Sequence, residues 1–222
     1  MRYTNFNACI FDFDGVFIDS EPLHAEAKRL TLEHFGVRHA DNLFVAWKGR
    51  TDVDFFAYVT TELAPGVASP EEMDDFKRES YLKLFEDVPL VPGSLEFLRA
   101  ARQSFAKVGL ATSATYHDFG LANRKYLLAR WFDAIITAEA TTRYKPDPEP
   151  YLKALAALGS KADVALVIED SPNGIRSAKG AGCQAAALLT SFPKRALVEA
   201  GADLVVDDFE MLRRKLGLPA KG

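Results

Sequence analysis

The 222-residue chain is 48% hydrophobic and 26% charged, with 27 Lys and Arg against 31 Asp and Glu for a net charge of −4. That is enough for one sizeable core, or a core with a smaller insert, and it offers no basic patch for nucleic acid or an anionic membrane surface. Apolar runs such as Ala185–Leu189 fall far short of a membrane span, and no basic region followed by a continuous apolar stretch opens the chain, so it is expected to be cytoplasmic.

The first β-rich run, Ala8–Phe13, leads into Asp12-Phe13-Asp14-Gly15-Val16. Residues i and i+2 share one face of a strand, which places both acids together where the chain turns at Gly15. The carboxyl end of a strand is where open α/β sheets bind ligands. Two anions so close need a cation between them or a retained proton. An ordinary turn built on Asp-Gly is the simpler reading of the same residues.

The next strand-like run starts near Val108, about ninety residues on, far more than one crossover helix needs. The intervening stretch reads as helices. Ser20 is placed to cap the first, with Pro22 in its opening turn and an apolar line through Leu23, Ala27, Leu30 and Phe35 before Gly36. A second starts near Thr51 and carries Val53, Phe56 and Leu63. Ser69-Pro70-Glu71-Glu72 predicts a capping box with proline at the first helical position, followed by a stripe of Met73, Phe76, Tyr81 and Leu84. Pro89, Pro92 and Gly93 end the insert. The expected organisation is a helical cap domain over residues 17–88, set into a core of residues 1–16 and 89–222.

Beyond the insert, short strands alternate with helical segments. Val108–Ala111 is followed by Thr112-Ser113, whose hydroxyls and neighbouring amides can hold phosphate oxygens or cap a helix. Ala134–Thr137 precedes Tyr144-Lys145-Pro146-Asp147-Pro148, where prolines fix the backbone around one lysine. Glu149–Leu158 has helical spacing in Leu152, Leu155 and Leu158. Ala165–Ile168 runs into Glu169-Asp170-Ser171-Pro172, two acids at a strand end that also reads as a helix start. Ile175, Ala178 and Gly182 form a further helical stripe before Ala185–Leu189 and Leu204–Val206. The alternation predicts an α/β fold, a Rossmann-like parallel-sheet core with an inserted α-helical cap. Asp12, Asp14, Glu169 and Asp170 at strand ends suit a hard cation such as Mg²⁺, which takes a few carboxylates together with substrate phosphate. Cys9 and Cys183 read as buried free thiols.

Phe11-Asp12-Phe13-Asp14-Gly15-Val16, Thr112-Ser113, Lys145-Pro146-Asp147-Pro148 and Glu169-Asp170 resemble, in order, the four motifs of the haloacid dehalogenase superfamily. The helical insert resembles the small cap of one subgroup. Asp19-Ser20-Glu21-Pro22-Leu23-His24 is similar to the opening of that cap in the β-phosphoglucomutase-like phosphatases. The resemblance implies Mg²⁺-dependent phosphoryl transfer from a small phosphorylated metabolite, by default a sugar phosphate. It makes Asp12 the nucleophile that forms an aspartyl-phosphate and Asp14 the general acid and base. Thr112, Ser113 and Lys145 would bind the transferring phosphoryl group. Asp12, Asp14 (through its carbonyl) and Asp170 would hold the metal, with Glu169 as a further ligand or an orienting group. Lys48, Gly49 and Arg50 fall where related caps contact the substrate's leaving group, a place that also reads as a solvated helix-entry loop, and His24 either faces the site or packs at the cap hinge.

A phosphosugar mutase of the β-phosphoglucomutase type shares all four motifs. In that family an arginine after the cap's Lys-Gly pair, with polar residues after the hydroxyl motif, holds a second phosphate. Here Asp52 falls at the arginine's place and Ala114-Thr115-Tyr116 follows the hydroxyl motif, which favours a phosphatase. A non-enzymatic phospho-accepting module is the reading from another class, and the large insert speaks against it. Well-mixed surface charge favours a monomer.

Overall fold

The computed structural model describes residues 6–40, 42–47, 51–86 and 88–219. Lys48, Gly49 and Arg50 lie outside the described residues. The chain divides into two compact units, Met1–Asp19 with Pro89–Gly222, and Ser20–Val88.

In the first unit, the described residues form one six-stranded sheet: β1 (Ala8–Phe11), β2 (Lys107–Ala111), β3 (Ala134–Ile136), β4 (Ala165–Glu169), β5 (Gln184–Leu188) and β6 (Leu204–Val206). All pairings are parallel and the order is β3-β2-β1-β4-β5-β6. Every residue of β1 and β4 is buried, as strands covered on both faces require. The order reverses between β1 and β4, so the crevice outside their carboxyl ends is the place where such sheets bind ligands.

One face of the sheet carries an aliphatic cluster that includes Ile10, Val167, Leu155, Ile175 and Leu197. Aromatic rings pack around Phe11, with Phe17 at 5.0 Å and Phe97 at 6.0 Å between ring centroids. Phe17 and Ile18 are fully buried, and Ile18 bridges to Leu90. Those contacts carry the first unit to Asp19, three residues beyond the expected boundary at residue 16.

The first strand is shorter than expected. It stops at Phe11, although the amide of Asp12 still donates to the carbonyl of Ile168 at 2.9 Å. The chain then folds back: the Phe13 carbonyl accepts from the amide of Phe17 at 2.8 Å, and Gly15 turns with φ of +67°. Asp14 is therefore placed by a turn, and the shared-face argument for the two acids does not hold.

The second unit contains α1 (Glu21–His34), α2 (Leu43–Ala46), α3 (Asp52–Tyr58) and α4 (Pro70–Phe85). Its core is Leu32, Val37, Phe55, Phe56, Val59 and Met73. The capping box on α4 forms as expected, with Ser69 and Glu72 exchanging bonds. Two details differ. Ser20 makes no side-chain cap bond to α1. Val53 is 66% exposed while Phe55 and Phe56 are buried, because the larger rings claim the inner face of α3.

Back in the first unit, the crossovers are α5 (Ser94–Ser104), α6 (Tyr116–Tyr126), α7 (Glu149–Leu158), α8 (Pro172–Gly180) and α9 (Lys194–Glu199), followed after β6 by α10 (Phe209–Leu216). No helix among the described residues is long and apolar enough to cross a membrane.

Candidate active site

Four side chains meet at the reversal point of the sheet. Asp12 leaves the end of β1 and is 7% exposed. Lys145 reaches it from the loop before α7, placing Nζ 2.7 Å from Asp12 Oδ1, 2.7 Å from Glu169 Oε1 and 3.1 Å from the Ala111 carbonyl. Glu149, at the start of α7, pins that loop by accepting from the amides of Thr142 and Arg143 and from the Thr142 hydroxyl. Glu169 closes β4 and Asp170 follows it.

Glu169 is fully buried and surrounded by donors. Oε1 accepts from Lys145 Nζ and, at 2.7 Å, from the Tyr151 hydroxyl. Oε2 accepts from the amides of Asp170 and Ser171 and from the Ser171 hydroxyl. Ser171 in turn caps α8 through the Gly174 amide. A Cβ at Gly174 would collide with the Glu169 carboxylate, so only glycine fits there. The Glu169 carboxylate thus fixes both the lysine and the turn that carries Asp170.

Carboxylate oxygens of Asp12, Glu169 and Asp170 lie within 4.8 Å of one another, and all three residues are buried. Burial pushes the Asp12 carboxyl up to about 7, with Lys145 pulling it down and the charges of Glu169 and Asp14 pushing it further up. Burial, then the charges of Glu169 and Asp12, raise Asp170 well above the carboxylate range. Burial also acts to raise Glu169, but Lys145, Tyr151 and the Ser171 amide outweigh it and hold this acid below its ordinary value. Lys145 has burial against it and two carboxylates for it, and stays charged. Three buried acids facing one lysine leave excess negative charge, and the donors are all oxygens. That set fits a hard divalent cation.

The other expected residues divide. Thr112 is buried beside this cluster at the end of β2, with Oγ1 accepting from the Ala114 amide at 2.9 Å, whereas Ser113 is exposed. Asp14 is half-buried and acts electrostatically on Asp12. The Thr190 hydroxyl donates to the Gly15 carbonyl at 2.6 Å and ties the Asp14-Gly15 turn to the end of β5.

In the helical unit, His24 stacks on Tyr81 at 4.2 Å, and its Nδ1 lies 3.0 Å from Lys77 Nζ. Lys77 is only 5% exposed. It shares the Asp52 carboxylate with Lys28, at 2.6 and 2.9 Å. Burial would raise Asp52, and the two lysines overcome it and hold the acid below its usual range. Asp52 is therefore a paired anchor for two cations, and its charge is offset by them.

Sequence reasoning missed Lys28, Lys77 and the part played by Tyr151. Lys77 did leave a signal: it stands four residues from Met73 and four from Tyr81, inside the buried stripe of α4. Tyr151 is wholly buried with its hydroxyl on Glu169. Tyr151→Phe is expected to lower stability by about 1.5–3 kcal/mol, the scale for a hydrogen bond to a charged group, read as a drop in the thermal midpoint. An unchanged midpoint would show that Glu169 does not need this donor.

The family model described as haloacid dehalogenase-like hydrolase matches residues 9–188. A phosphorylated carbohydrates phosphatase from Thermotoga maritima is 30% identical over 210 residues, covering 92% of this chain and 96% of the relative. Fructose-1-phosphate phosphatase YqaB from Escherichia coli is 28% identical, covering 82% and 96%. Among solved structures, one from Thermotoga maritima assigned as a beta-phosphoglucomutase has a TM-score of 0.82 at 30% identity and covers 94% of this chain and 98% of its own.

Proposed function

The chain belongs to the haloacid dehalogenase-like hydrolases, and from that membership we propose that it is a Mg²⁺-dependent phosphatase of a small phosphorylated sugar, working through an aspartyl-phosphate on Asp12. The observation that carries this reading is the buried Asp12 carboxylate held 2.7 Å from Lys145 at the reversal point of the sheet. In the first step an Asp12 oxygen attacks phosphorus, the bond to the leaving alcohol breaks, and Asp14 delivers the proton that alcohol needs. In the second, Asp14 takes a proton from water, the water oxygen attacks phosphorus, and inorganic phosphate leaves with Asp12 restored. Lys145 and Thr112 hold the transferring group and offset its charge. Asp12, Asp170 and the Asp14 carbonyl would hold the metal, which supplies charge neutralisation at the phosphoryl oxygens. Glu169 is assigned the orienting role, since its two oxygens already accept five hydrogen bonds. Selection of the substrate is assigned to the helical unit, with His24, Lys48 and Arg50 as its contacts.

Hydrolysis of a chromogenic phosphate ester, with Mg²⁺ and with chelator, tests the reading. Metal-dependent turnover is expected, and a folded protein inactive across a broad panel of phosphorylated metabolites would overturn it. The mutase alternative is supported by the likeness to the structure assigned as a beta-phosphoglucomutase. Robust formation of glucose 6-phosphate from β-glucose 1-phosphate would establish it.

Metal binding should also appear in stability. Asp12 titrates at about 7 in the folded chain against an ordinary 3.8, and Asp170 shifts the same way. Between those values the metal-free folded state holds more protons than the unfolded one, so stability falls as pH rises through that window. Mg²⁺ competes with those protons. The rise in thermal midpoint on adding Mg²⁺ is therefore expected to be larger at about pH 8 than at about pH 5. An equal rise at both would place the metal elsewhere.

A further inference from the structure

We propose that Thr190 and Ser191, two hydroxyls in the turn after β5, are positioning residues for the metal site: Ser191 orients the Asp170 carboxylate, and Thr190 holds the turn that presents the Asp14 carbonyl. The inference rests on the phosphatase reading above, which makes those two groups metal ligands. It assigns their support to residues outside the four sequence motifs.

β5 is not a neighbour of β1. β4 lies between them, with Phe11 of β1 level with Ile168 and Ala187 of β5 level with Glu169. Adjacent strands stand about 4.8 Å apart, so a contact between the exits of β1 and β5 has to cross about twice that distance over the end of β4. The Thr190 hydroxyl makes that crossing and donates to the Gly15 carbonyl at 2.6 Å. The chain leaving β4 at this place is Asp170, which is thus enclosed between the two turns. The turn that carries Thr190 is itself anchored. The Leu189 amide donates to the Val206 carbonyl at 3.0 Å and extends the pairing of β5 with β6.

Ser191 works at the same point. A Cβ at Gly15 would overlap Asp170 Oδ2 and stand 2.6 Å from Ser191 Oγ, so both oxygens crowd one spot against the Gly15 backbone. The Ser191 hydroxyl there favours the charged form of Asp170. One hydroxyl engages one side of a carboxylate and leaves its other lone pairs for a cation. The Asp14 carbonyl is held from both directions along the chain. The Gly15 amide donates to the Ile18 carbonyl at 2.8 Å, and in a trans peptide the Asp14 carbonyl points the opposite way. The next carbonyl, that of Gly15, is the one Thr190 fixes. Groups that orient metal ligands in this manner set affinity, and losing one typically costs about 10–100-fold.

The test titrates Mg²⁺ alone into the full chain, followed by calorimetry and by the thermal midpoint. It compares the wild type with Ser191→Ala, Thr190→Val and the hydroxyl-keeping Thr190→Ser. Ser191→Ala and Thr190→Val are each expected to weaken Mg²⁺ binding about tenfold or more, and Thr190→Ser to keep the wild-type affinity. The Mg²⁺ concentration giving half-maximal turnover of a chromogenic phosphate ester should move by the same factor. A merely structural role would lower the metal-free midpoint and leave the Mg²⁺ affinity of the folded protein as it was. Folded Ser191→Ala and Thr190→Val with wild-type Mg²⁺ affinity would therefore overturn the inference and leave the phosphatase reading standing. Equal losses in Thr190→Val and Thr190→Ser would overturn the part given to the Thr190 hydroxyl. A wild type that binds no Mg²⁺ and shows no metal-dependent turnover would instead overturn the phosphatase reading. Thr190 is exposed and Ser191 half-buried, so substitution at either is compatible with folding.

Discussion

Lys145→Met is expected to abolish turnover and to cost about 3–5 kcal/mol of stability at neutral pH, the range for breaking a buried ion pair by removing one partner. The side chain is 7% exposed and touches Asp12 and Glu169 at 2.7 Å each. Without it, Asp12, Glu169 and Asp170 remain packed together with no cation among them. The loss should shrink as pH falls. Asp12 already titrates at about 7 and Asp170 is raised, so both take up protons on acidification, and the repulsion that the lysine offsets disappears. Denaturant unfolding of wild type and variant, at neutral and at acid pH, measures both effects. A difference that grows in acid would show that the lysine is stabilising something other than these carboxylates.

Asp12→Asn should separate activity from stability. Turnover is expected to fall by about 10⁴-fold or more, because an amide cannot serve as the attacking carboxylate and residues acting as a unit fail together. The thermal midpoint of the metal-free protein should hold or rise. Burial and the charges of Glu169 and Asp14 disfavour the ionised Asp12, and a neutral isostere removes that penalty while Lys145 keeps Glu169. Retention of normal turnover would end the assignment of Asp12 as nucleophile. A midpoint lowered by several kcal/mol of stability would show that the Asp12–Lys145 pair is worth more than its burial costs.

The strand-end acids and the lysine were legible because each follows a short apolar run or a proline-fixed loop, and those are local signals. Parallel pairing then brings separate strand ends together without any further information. Glu149–Leu158 matched its helix residue for residue for the same reason. Where the reading failed, the cause was tertiary. The chain leaves β1 at Phe11 because the Phe13 carbonyl gathers the following amides, and period-two alternation cannot show such a turn. Val53 lost the inner face of α3 to Phe55 and Phe56, a choice that depends on what packs opposite. Tyr151 reads as one more apolar position on α7 until β4 places Glu169 against its hydroxyl. Lys28 and Lys77 gain meaning only when α3 delivers Asp52 between them.

On the proposed mechanism the phosphoryl group rests on Asp12 between two displacements. Hydrolysis of a phosphate monoester made chiral at phosphorus by sulfur in place of one oxygen and by oxygen isotopes, in water carrying the remaining oxygen isotope, reads this directly. Two successive in-line displacements, the first by Asp12 and the second by water, give net retention of configuration, which is the result expected. Net inversion, the mark of a single direct attack by water, would rule out the aspartyl-phosphate on Asp12.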